Sequence, residues 1–221
     1  MVLACLLASG SAHASAILDV QFGDETASVQ TGAAVDGSAG DYWNLLEGPQ
    51  GTNLLDTQDN STGITLSYTG TPFTTYAPGG FNPTQWANLM NSYLYNNGPG
   101  TINIAGLDPN ATFGLFVYTQ GDVAASGRTL AVNVNSEGTY STSPTDSTAS
   151  TFILGQNYLD LAVTSDASGN LAITFNGAGD EADINGFQLI ETGSATPEPG
   201  TFALAGIALA VVARAGRRRK R

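Results

Sequence analysis

The side chains of this sequence that could do chemistry are mostly carboxylates gathered in loops. Two clusters stand out, one formed by Asp56, Asp59 and Asn60 and the other by Asp180, Glu181 and Asp183. Calcium takes about six to eight oxygen ligands of this kind, although neither cluster has the ligand spacing of an EF-hand loop. Solvated carboxylates that keep the chain soluble are the simpler interpretation. Calcium, if bound, would join loops rather than act on a substrate, and no other cofactor is expected.

Nucleophile and base chemistry has few residues to use in the body of the chain. Between residues 17 and 196 the sequence contains no histidine, cysteine or lysine. This excludes Ser-His-Asp and Cys-His sites, histidine-ligated metals and Schiff-base mechanisms from that segment. Two carboxylates about 5 to 10 Å apart can still hydrolyse a glycosidic bond. We therefore predict a protein that is not an enzyme, with a carboxylate-dependent polysaccharide hydrolase of jelly-roll form as the alternative.

Charge is distributed unevenly along the 221 residues. Residues 17–196 hold 18 carboxylates and a single base, Arg128, which gives a formal charge of −17. The other six bases lie between Arg214 and Arg221. Nucleic-acid affinity depends on lysine and arginine side chains that neutralise phosphates. The body of the chain therefore has the wrong charge to bind nucleic acid.

Aromatic side chains in polar, turn-rich segments are the candidates for ligand contact. Tyr42 and Trp43 lie in GDYWN, and Tyr76 lies in the Pro- and Gly-rich segment TPFTTYAPGGFNP. The C–H faces of sugars pack on flat rings as other apolar surfaces do. Packing at the rim of the fold is the simpler interpretation of each ring. The pattern indicates weak polysaccharide binding as one use of these residues.

Alternation of apolar and polar residues predicts the elements that carry these side chains. Seven segments alternate with a period of two, which is typical of strands with one buried face. They are 17–22, 64–68, 112–120, 128–135, 159–163, 171–175 and 184–189. Turn-forming sequences such as Asp108-Pro109-Asn110 separate them. The spacing predicts an all-β fold with a single antiparallel sandwich or jelly roll.

One segment has a helical period instead. The spacing i, i+3, i+4, i+7 joins Trp86, Leu89, Met90 and Tyr93. The preceding Asn-Pro pair supplies an N-cap residue and a proline at the first helical position. We predict one short helix over Pro83–Leu94, whose apolar side belongs to the core.

Residues 1–16 have the features of a signal peptide. The apolar run Val2–Ala8 is followed by two A-x-A patterns, the type of sequence that precedes signal cleavage. The basic residues that usually open a signal peptide are missing. The pattern therefore predicts a truncated signal peptide and an exported chain.

The C-terminal segment combines a proline-rich acidic motif, an apolar run and a basic cluster. Pro197-Glu198-Pro199-Gly200 precedes the apolar residues 201–213, and Arg217, Arg218 and Arg219 follow. This order resembles the PEP-CTERM sorting signal of exported bacterial proteins. The resemblance implies a C-terminal apolar helix that enters the inner membrane transiently. It also implies exosortase as a partner, which removes this anchor near the PEP motif.

Three phrases in the body resemble exported jelly-roll proteins that carry this same tail. They are GAAVDGSAGDYWN at 32–44, INIAGLDPNATFGLFVYTQGD at 102–122 and DINGFQLI at 183–190. Such bodies are similar to galactose-binding-like and carbohydrate-binding-module sandwiches. The resemblance implies the fold and only suggests a ligand, because a fold does not fix a function.

The sequence therefore predicts four segments. They are a signal peptide at 1–16, a β-sandwich domain at 17–190, a linker at 191–196 and the sorting signal at 197–221. We expect an exported protein that is anchored through its C-terminal helix before processing and then reaches the cell surface or extracellular matrix. There it would serve in the matrix or in adhesion, with exopolysaccharide as a weakly bound partner.

Overall fold

The computed structural model of the chain describes residues 16–74, 80–121, 128–144, 148–177 and 181–193. In these ranges the backbone forms fourteen strands and one short helix, α1 (Ala87–Met90). The strands are β1 (Ala16–Phe22), β2 (Asn44–Leu46), β3 (Gln50–Gly51), β4 (Thr65–Tyr68), β5 (Thr71–Thr74), β6 (Ser92–Asn96), β7 (Gly100–Ala105), β8 (Thr112–Tyr118), β9 (Ala131–Val134), β10 (Thr139–Ser141), β11 (Tyr158–Thr164), β12 (Asn170–Asn176), β13 (Ala182–Ile184) and β14 (Gly186–Gly193). The predicted signal peptide, apart from Ala16, and the predicted sorting signal lie outside the described residues.

Two large sheets form the sandwich. A five-stranded sheet has the order β11-β8-β14-β1-β2, and a six-stranded sheet has the order β10-β9-β12-β7-β4-β3. Neighbouring strands run antiparallel, except that β1 and β2 pair in parallel. All seven segments that alternate in the sequence contribute strands, so the predicted all-β sandwich is confirmed. The last strand continues to Gly193, three residues into the predicted linker.

Alternating side chains fill the space between the two sheets. Leu18, Val20 and Phe22 of β1 belong to the same continuous buried cluster as Ile102 and Ile104 of β7. Fully burying a side chain of this size contributes about 1.5–3 kcal/mol. The inward-facing side chains of the alternating strands thus form the interior of the domain, and we call this buried cluster the sandwich core.

A third, three-stranded sheet in the order β13-β6-β5 corrects the predicted helix. The helix was expected over Pro83–Leu94, but α1 covers only Ala87–Met90 and β6 begins at Ser92. The backbone of β6 pairs with β5 on one side and β13 on the other, and Leu94 reaches the sandwich core. Long-range strand pairing overrides the local helical period here.

Residues 24–43 and 81–91 lie over the outer face of the five-stranded sheet, and we call them the covering layer. Because side chains alternate along a strand, Asp19 and Gln21 point away from the sandwich core. Both are nevertheless buried, under the covering layer. A second apolar cluster fills the same space and is formed by Trp43, Phe81, Leu89, Met90 and Tyr118.

Buried amide side chains fasten the covering layer to the sheet. Gln21 Nε2 donates to the carbonyl oxygens of Ser28 and Asn88 and to Ser92 Oγ, at 2.8–3.1 Å. Its Oε1 accepts from the backbone N–H of Gln30 at 2.7 Å. One side chain therefore satisfies groups from both segments of the layer and from β6.

Asn185, between β13 and β14, repeats this arrangement. Its Nδ2 donates to the carbonyl oxygens of Met90, Ser92 and Gln120 at 2.8–3.2 Å. Its Oδ1 accepts from the backbone N–H of Gln120. Buried backbone groups without a partner are costly, so these bonds decide where the helix-containing segment can sit.

Candidate functional site

Part of the predicted site lies outside the described residues. This applies to the sorting residues Pro197, Glu198, Pro199, Gly200, Arg217, Arg218 and Arg219, and also to Tyr76 and Asp180. Among the residues that the structure describes, no helix is long and apolar enough to cross a bilayer. The C-terminal apolar helix therefore stays a prediction.

The first carboxylate cluster, Asp56, Asp59 and Asn60, forms a turn. The carboxylate of Asp56 accepts hydrogen bonds from other residues of this turn. Asp56 Oδ1 accepts from the backbone N–H groups of Gln58 and Asn60, each at 2.8 Å. Asn60 Nδ2 donates to both oxygens of Asp56 at 3.2 Å. Desolvation raises the pKa of Asp56, but these hydrogen bonds outweigh it and hold the pKa below its usual value. Asp59 closes the turn with a φ of 66°.

The same turn recurs at Asp166–Asn170, where the sequence predicts only a change of direction. Asp166 Oδ1 accepts from the backbone N–H groups of Ser168 and Asn170, at 2.8 and 2.9 Å. Backbone and side-chain hydrogen bonds from Asn170 hold the pKa of Asp166 below its usual value. Within the described ranges, no three acidic, histidine or cysteine side chains are arranged to hold a metal ion. The Asp56 cluster is thus built as a turn.

Arg128 engages the two described members of the second carboxylate cluster, Glu181 and Asp183. Its Nη1 forms an ion pair with Glu181 and lies 3.2 Å from Asp183 Oδ2. Asp183 is buried, and a Cβ on Gly121 would lie 2.1 Å from the same oxygen. The single base of residues 17–196 therefore pairs with two of the six residues that were candidates for binding calcium. The isolation of Arg128 in an acidic segment was the sequence signal for this role.

Trp43 is a core residue, which corrects the expectation that it contacts a ligand. Its side chain is 0% exposed, and its Nε1 donates to the carbonyl oxygen of Gly32 at 2.8 Å. Its ring packs against Tyr118, with centroids 6.3 Å apart. The covering layer encloses the indole, so it offers no face to a sugar. Tyr42, its neighbour in sequence, is 36% exposed and stays at the surface.

An aromatic patch that the sequence did not reveal lies on the three-stranded sheet. Phe73 of β5 is 37% exposed, and its ring centroid lies 5.6 Å from Tyr93 and 6.3 Å from Tyr95. Phe73 is opposite Tyr93 in the strand register, and Asp183 is opposite Tyr95. Opposite residues share a face, so the rings and the Asp183 side chain project from the same side. Tyr93 falls within the segment predicted as helix and Tyr95 directly follows it, so the helical spacing did not indicate that the two tyrosines share one strand.

Asp19 is the described carboxyl whose environment departs most from water. Burial raises its pKa to about 7, the nearby carboxylates Asp41 and Asp36 add to the rise, and a hydrogen bond from Gln188 partly offsets it. The side chain is 0% exposed. A polymer could not reach this carboxyl while the covering layer is in place, so its pKa does not make it a catalytic acid.

The C-terminal segment matches a known sorting motif. Residues 195–220 match the family described as the PEP-CTERM protein-sorting motif, which confirms the predicted sorting signal. The chain therefore has the signal of an exported, sorted protein. No curated protein matches the sequence.

Similar solved structures include three of different kinds. The ANX1 ectodomain from Arabidopsis thaliana is 14% identical over 83% of this chain and 52% of its own, with a TM-score of 0.49. A family 35 carbohydrate binding module from Clostridium thermocellum is 14% identical over 56% of this chain and 90% of its own, with a TM-score of 0.35. An exo-beta-1,3-galactanase from Phanerochaete chrysosporium is 17% identical over 70% of this chain and 32% of its own, with a TM-score of 0.35. The chain spans about half the length of the ANX ectodomains that it matches.

Proposed function

We propose that this exported chain is a non-enzymatic component of the cell surface or extracellular matrix that binds polysaccharide weakly. The sorting motif at residues 195–220 supports delivery to that location and implies processing by exosortase. The observation that carries the binding part is the exposed ring of Phe73 on its two tyrosine neighbours.

The aromatic patch has the features that a sugar-binding surface needs. Tyr93 and Tyr95 pack beside Phe73 on the same face of the sheet, so little side-chain entropy remains to be lost when a sugar packs on the exposed part of the Phe73 ring. Arg128 and Glu181 meet Asp183 beside Tyr95, and their side chains retain 15% and 17% exposure for hydrogen bonds to hydroxyl groups. A single exposed ring supports weak rather than tight binding.

The charge of the domain selects among polysaccharides. Residues 17–196 have a formal charge of −17, which repels polyanions such as uronate-rich chains. Contacts made through C–H faces and hydroxyl groups do not require charge on the ligand. A neutral polysaccharide is therefore the expected ligand.

Two of the described carboxylates, Asp19 and Asp183, are placed where they cannot attack a polysaccharide. Glycosidic cleavage requires two carboxyl groups that reach the same bond from either side. Asp19 is enclosed by the covering layer, and Asp183 is buried against Arg128. The placement of these two groups supports binding without turnover and leaves the alternative carboxylate-dependent hydrolase to the remaining carboxylates.

Replacing Phe73 tests the proposed function. We expect Phe73→Ala to weaken binding of the full chain to a neutral polysaccharide by about 3- to 10-fold, the value of one aromatic contact. Affinity electrophoresis in gels containing soluble neutral glucans and galactans, with calcium and then with chelator, measures this loss. Tyr140→Ala is the matched control, because Tyr140 is 41% exposed on β10, in a different sheet.

The outcomes separate the candidate functions. Binding that survives Phe73→Ala but is lost on chelation would place the ligand at calcium-bearing loops instead of the aromatic patch. No retardation of the wild-type chain by any glycan would leave a structural matrix protein. Release of reducing sugar that one carboxylate substitution abolishes would establish the hydrolase.

A further inference from the structure

Asp19 is a buried acid for which the proposed function has no use. It lies in the middle of β1, beneath the covering layer, and its side chain is 0% exposed. Oδ1 accepts one hydrogen bond, from Gln188 Nε2 at 3.0 Å. Oδ2 is buried and has no hydrogen-bond partner among the described residues. An orphaned carboxylate oxygen is costly when it carries charge and much less so when the group is neutral.

The segment that encloses Asp19 is fastened through the same glutamine. Gln188 Nε2 also donates to the carbonyl oxygen of Asp36 at 3.1 Å, and its Oε1 accepts from the Asp36 N–H at 3.4 Å. Tyr118 Oη accepts from the backbone N–H of Val35 at 3.1 Å. A few hydrogen bonds therefore hold residues 31–43 over the carboxyl.

The described titratable groups around Asp19 are all acidic. Asp36 and Asp41 face it from the covering segment, and Tyr118 faces it from β8. Burial raises the pKa of Tyr118, so this phenol stays neutral and adds no charge near neutral pH. Arg128, the single base of residues 17–196, is engaged with Glu181 and Asp183. An ionised Asp19 would thus meet two like charges and one amide.

We propose that Asp19 makes the closure of residues 31–43 over the sheet sensitive to pH. With a neutral carboxyl the segment closes, and with an ionised carboxyl the segment opens more often to admit water. This inference concerns the covering layer and is independent of whether the aromatic patch binds a sugar.

The direction of the effect follows from the two protonation equilibria. In the open segment the carboxyl is hydrated and has its ordinary pKa of 3.8, whereas in the closed segment the pKa is about 7. The closed state therefore holds its proton to higher pH than the open state. The equilibrium constant for closing is largest below pH 3.8 and falls by up to about tenfold per pH unit above it. It reaches its lowest value near pH 7 and stays constant at higher pH.

Hydrogen exchange of the full chain between pH 4 and 9, corrected for intrinsic rates, tests the proposal. We expect peptides from 31–43 to lose protection as the pH rises to 7 and then to level off, while peptides from β11 and β12 do not. Trp43 and Trp86 give a second readout, because their indole N–H groups donate to the carbonyls of Gly32 and Ala33. The chain has two tryptophans, so both indole signals report on this segment.

Three variants make the experiment decisive. Asp19→Asn keeps the shape and cannot ionise, so protection of 31–43 should become flat with pH. Asp160→Asn changes an exposed carboxylate of the same sheet and should behave as wild type. Asp41→Asn removes a like charge near Asp19, so the pH at which the loss of protection levels off should be lower. This variant tests the proposal even if Asp19→Asn does not fold.

The contrary results are equally specific. An unchanged pH dependence in Asp19→Asn would overturn the proposal, as would constant protection of 31–43 in the wild-type chain. A loss of protection that is uniform across the sandwich would show global destabilisation and would also overturn it.

Discussion

The sandwich core and the covering layer are both buried, but different interactions hold them. In the sandwich core, side chains such as Val20, Leu115 and Ile173 belong to one buried apolar cluster, and the strand ladders satisfy the backbone. In the covering layer, irregular backbone depends on the amides of Gln21 and Asn185 for its hydrogen bonds. Burial alone therefore does not show what a region would lose on substitution.

The two regions should respond to different kinds of change. Apolar burial is non-directional and roughly proportional to area, so the sandwich core is sensitive to volume. A hydrogen bond contributes only about 0.5–1.5 kcal/mol net, but leaving its buried partner unsatisfied costs about 1–3 kcal/mol. The covering layer is accordingly sensitive to the loss of a single amide.

The largest expected effect is a truncation in the sandwich core. Phe22 is fully buried, with ring centroids 5.0 Å from Tyr68 and 6.3 Å from Phe187. We expect Phe22→Ala to lower the free energy of unfolding by about 3–5 kcal/mol, because it removes transfer energy and leaves a cavity. Urea denaturation measures this, with the exposed Val29→Ala as the control. A loss below about 1 kcal/mol would show that the core collapses around the gap.

A smaller and more local effect is expected in the covering layer. Asn185→Ala removes every bond from this amide to Met90, Ser92 and Gln120, and we expect a loss of about 2–3 kcal/mol. Hydrogen exchange should show the loss of protection concentrated in residues 81–92. The exposed amide Asn88, which donates to the carbonyl oxygen of Val29, is the control and should cost under about 1 kcal/mol as alanine. Uniform loss of protection would remove the distinction between the regions.

The smallest expected effect lies in the two matching turns Asp56–Asn60 and Asp166–Asn170, where backbone conformation rather than side-chain packing sets the stability. Asp59 has a φ of 66°, and Gly169 stands at the same place in the matching turn with a φ of 76°. We expect Asp59→Gly to raise the free energy of unfolding by about 0.5 kcal/mol, since glycine adopts this conformation without steric cost. Thermal denaturation measures the gain. Gly169→Ala is the opposite change and should destabilise, because its Cβ would lie 2.0 Å from the Leu107 carbonyl oxygen.

The sequence predicts the sandwich core well because the alternation that produces it is visible within a few consecutive residues. Alternation over a few residues marks β1, β8, β11 and β12, and the turn chemistry of the Asp166 loop is visible in its residue types. The same local view assigns Gln21 and Gln188 to solvent, since they occupy the polar positions of alternating strands. Their burial comes from partners 67 and 169 residues away, which no local pattern records.

In the candidate site, too, the sequence shows what residue type alone reveals and misses what distant partners decide. The carboxylate clusters were found because residue type alone reveals them, yet their partners decide their role. Asp56 is used by its own turn and Asp183 by Arg128, 55 residues distant. Trp43 was expected at the surface because GDYWN resembles a turn, and the covering layer that buries it has no periodic signal. The aromatic patch depends on strand pairing between β5 and β6, which the helical spacing concealed.

The pairing of β1 with β14 has a mechanical consequence. Ala16 lies opposite Ile190, so the chain enters β1 and leaves β14 at one end of the same sheet. Tension applied between these two points separates the strands from that end, and their hydrogen bonds break one after another rather than together. Peeling of this kind yields at lower force than sliding two strands past each other. A domain loaded in this direction would give way at β1 before the six-stranded sheet is strained.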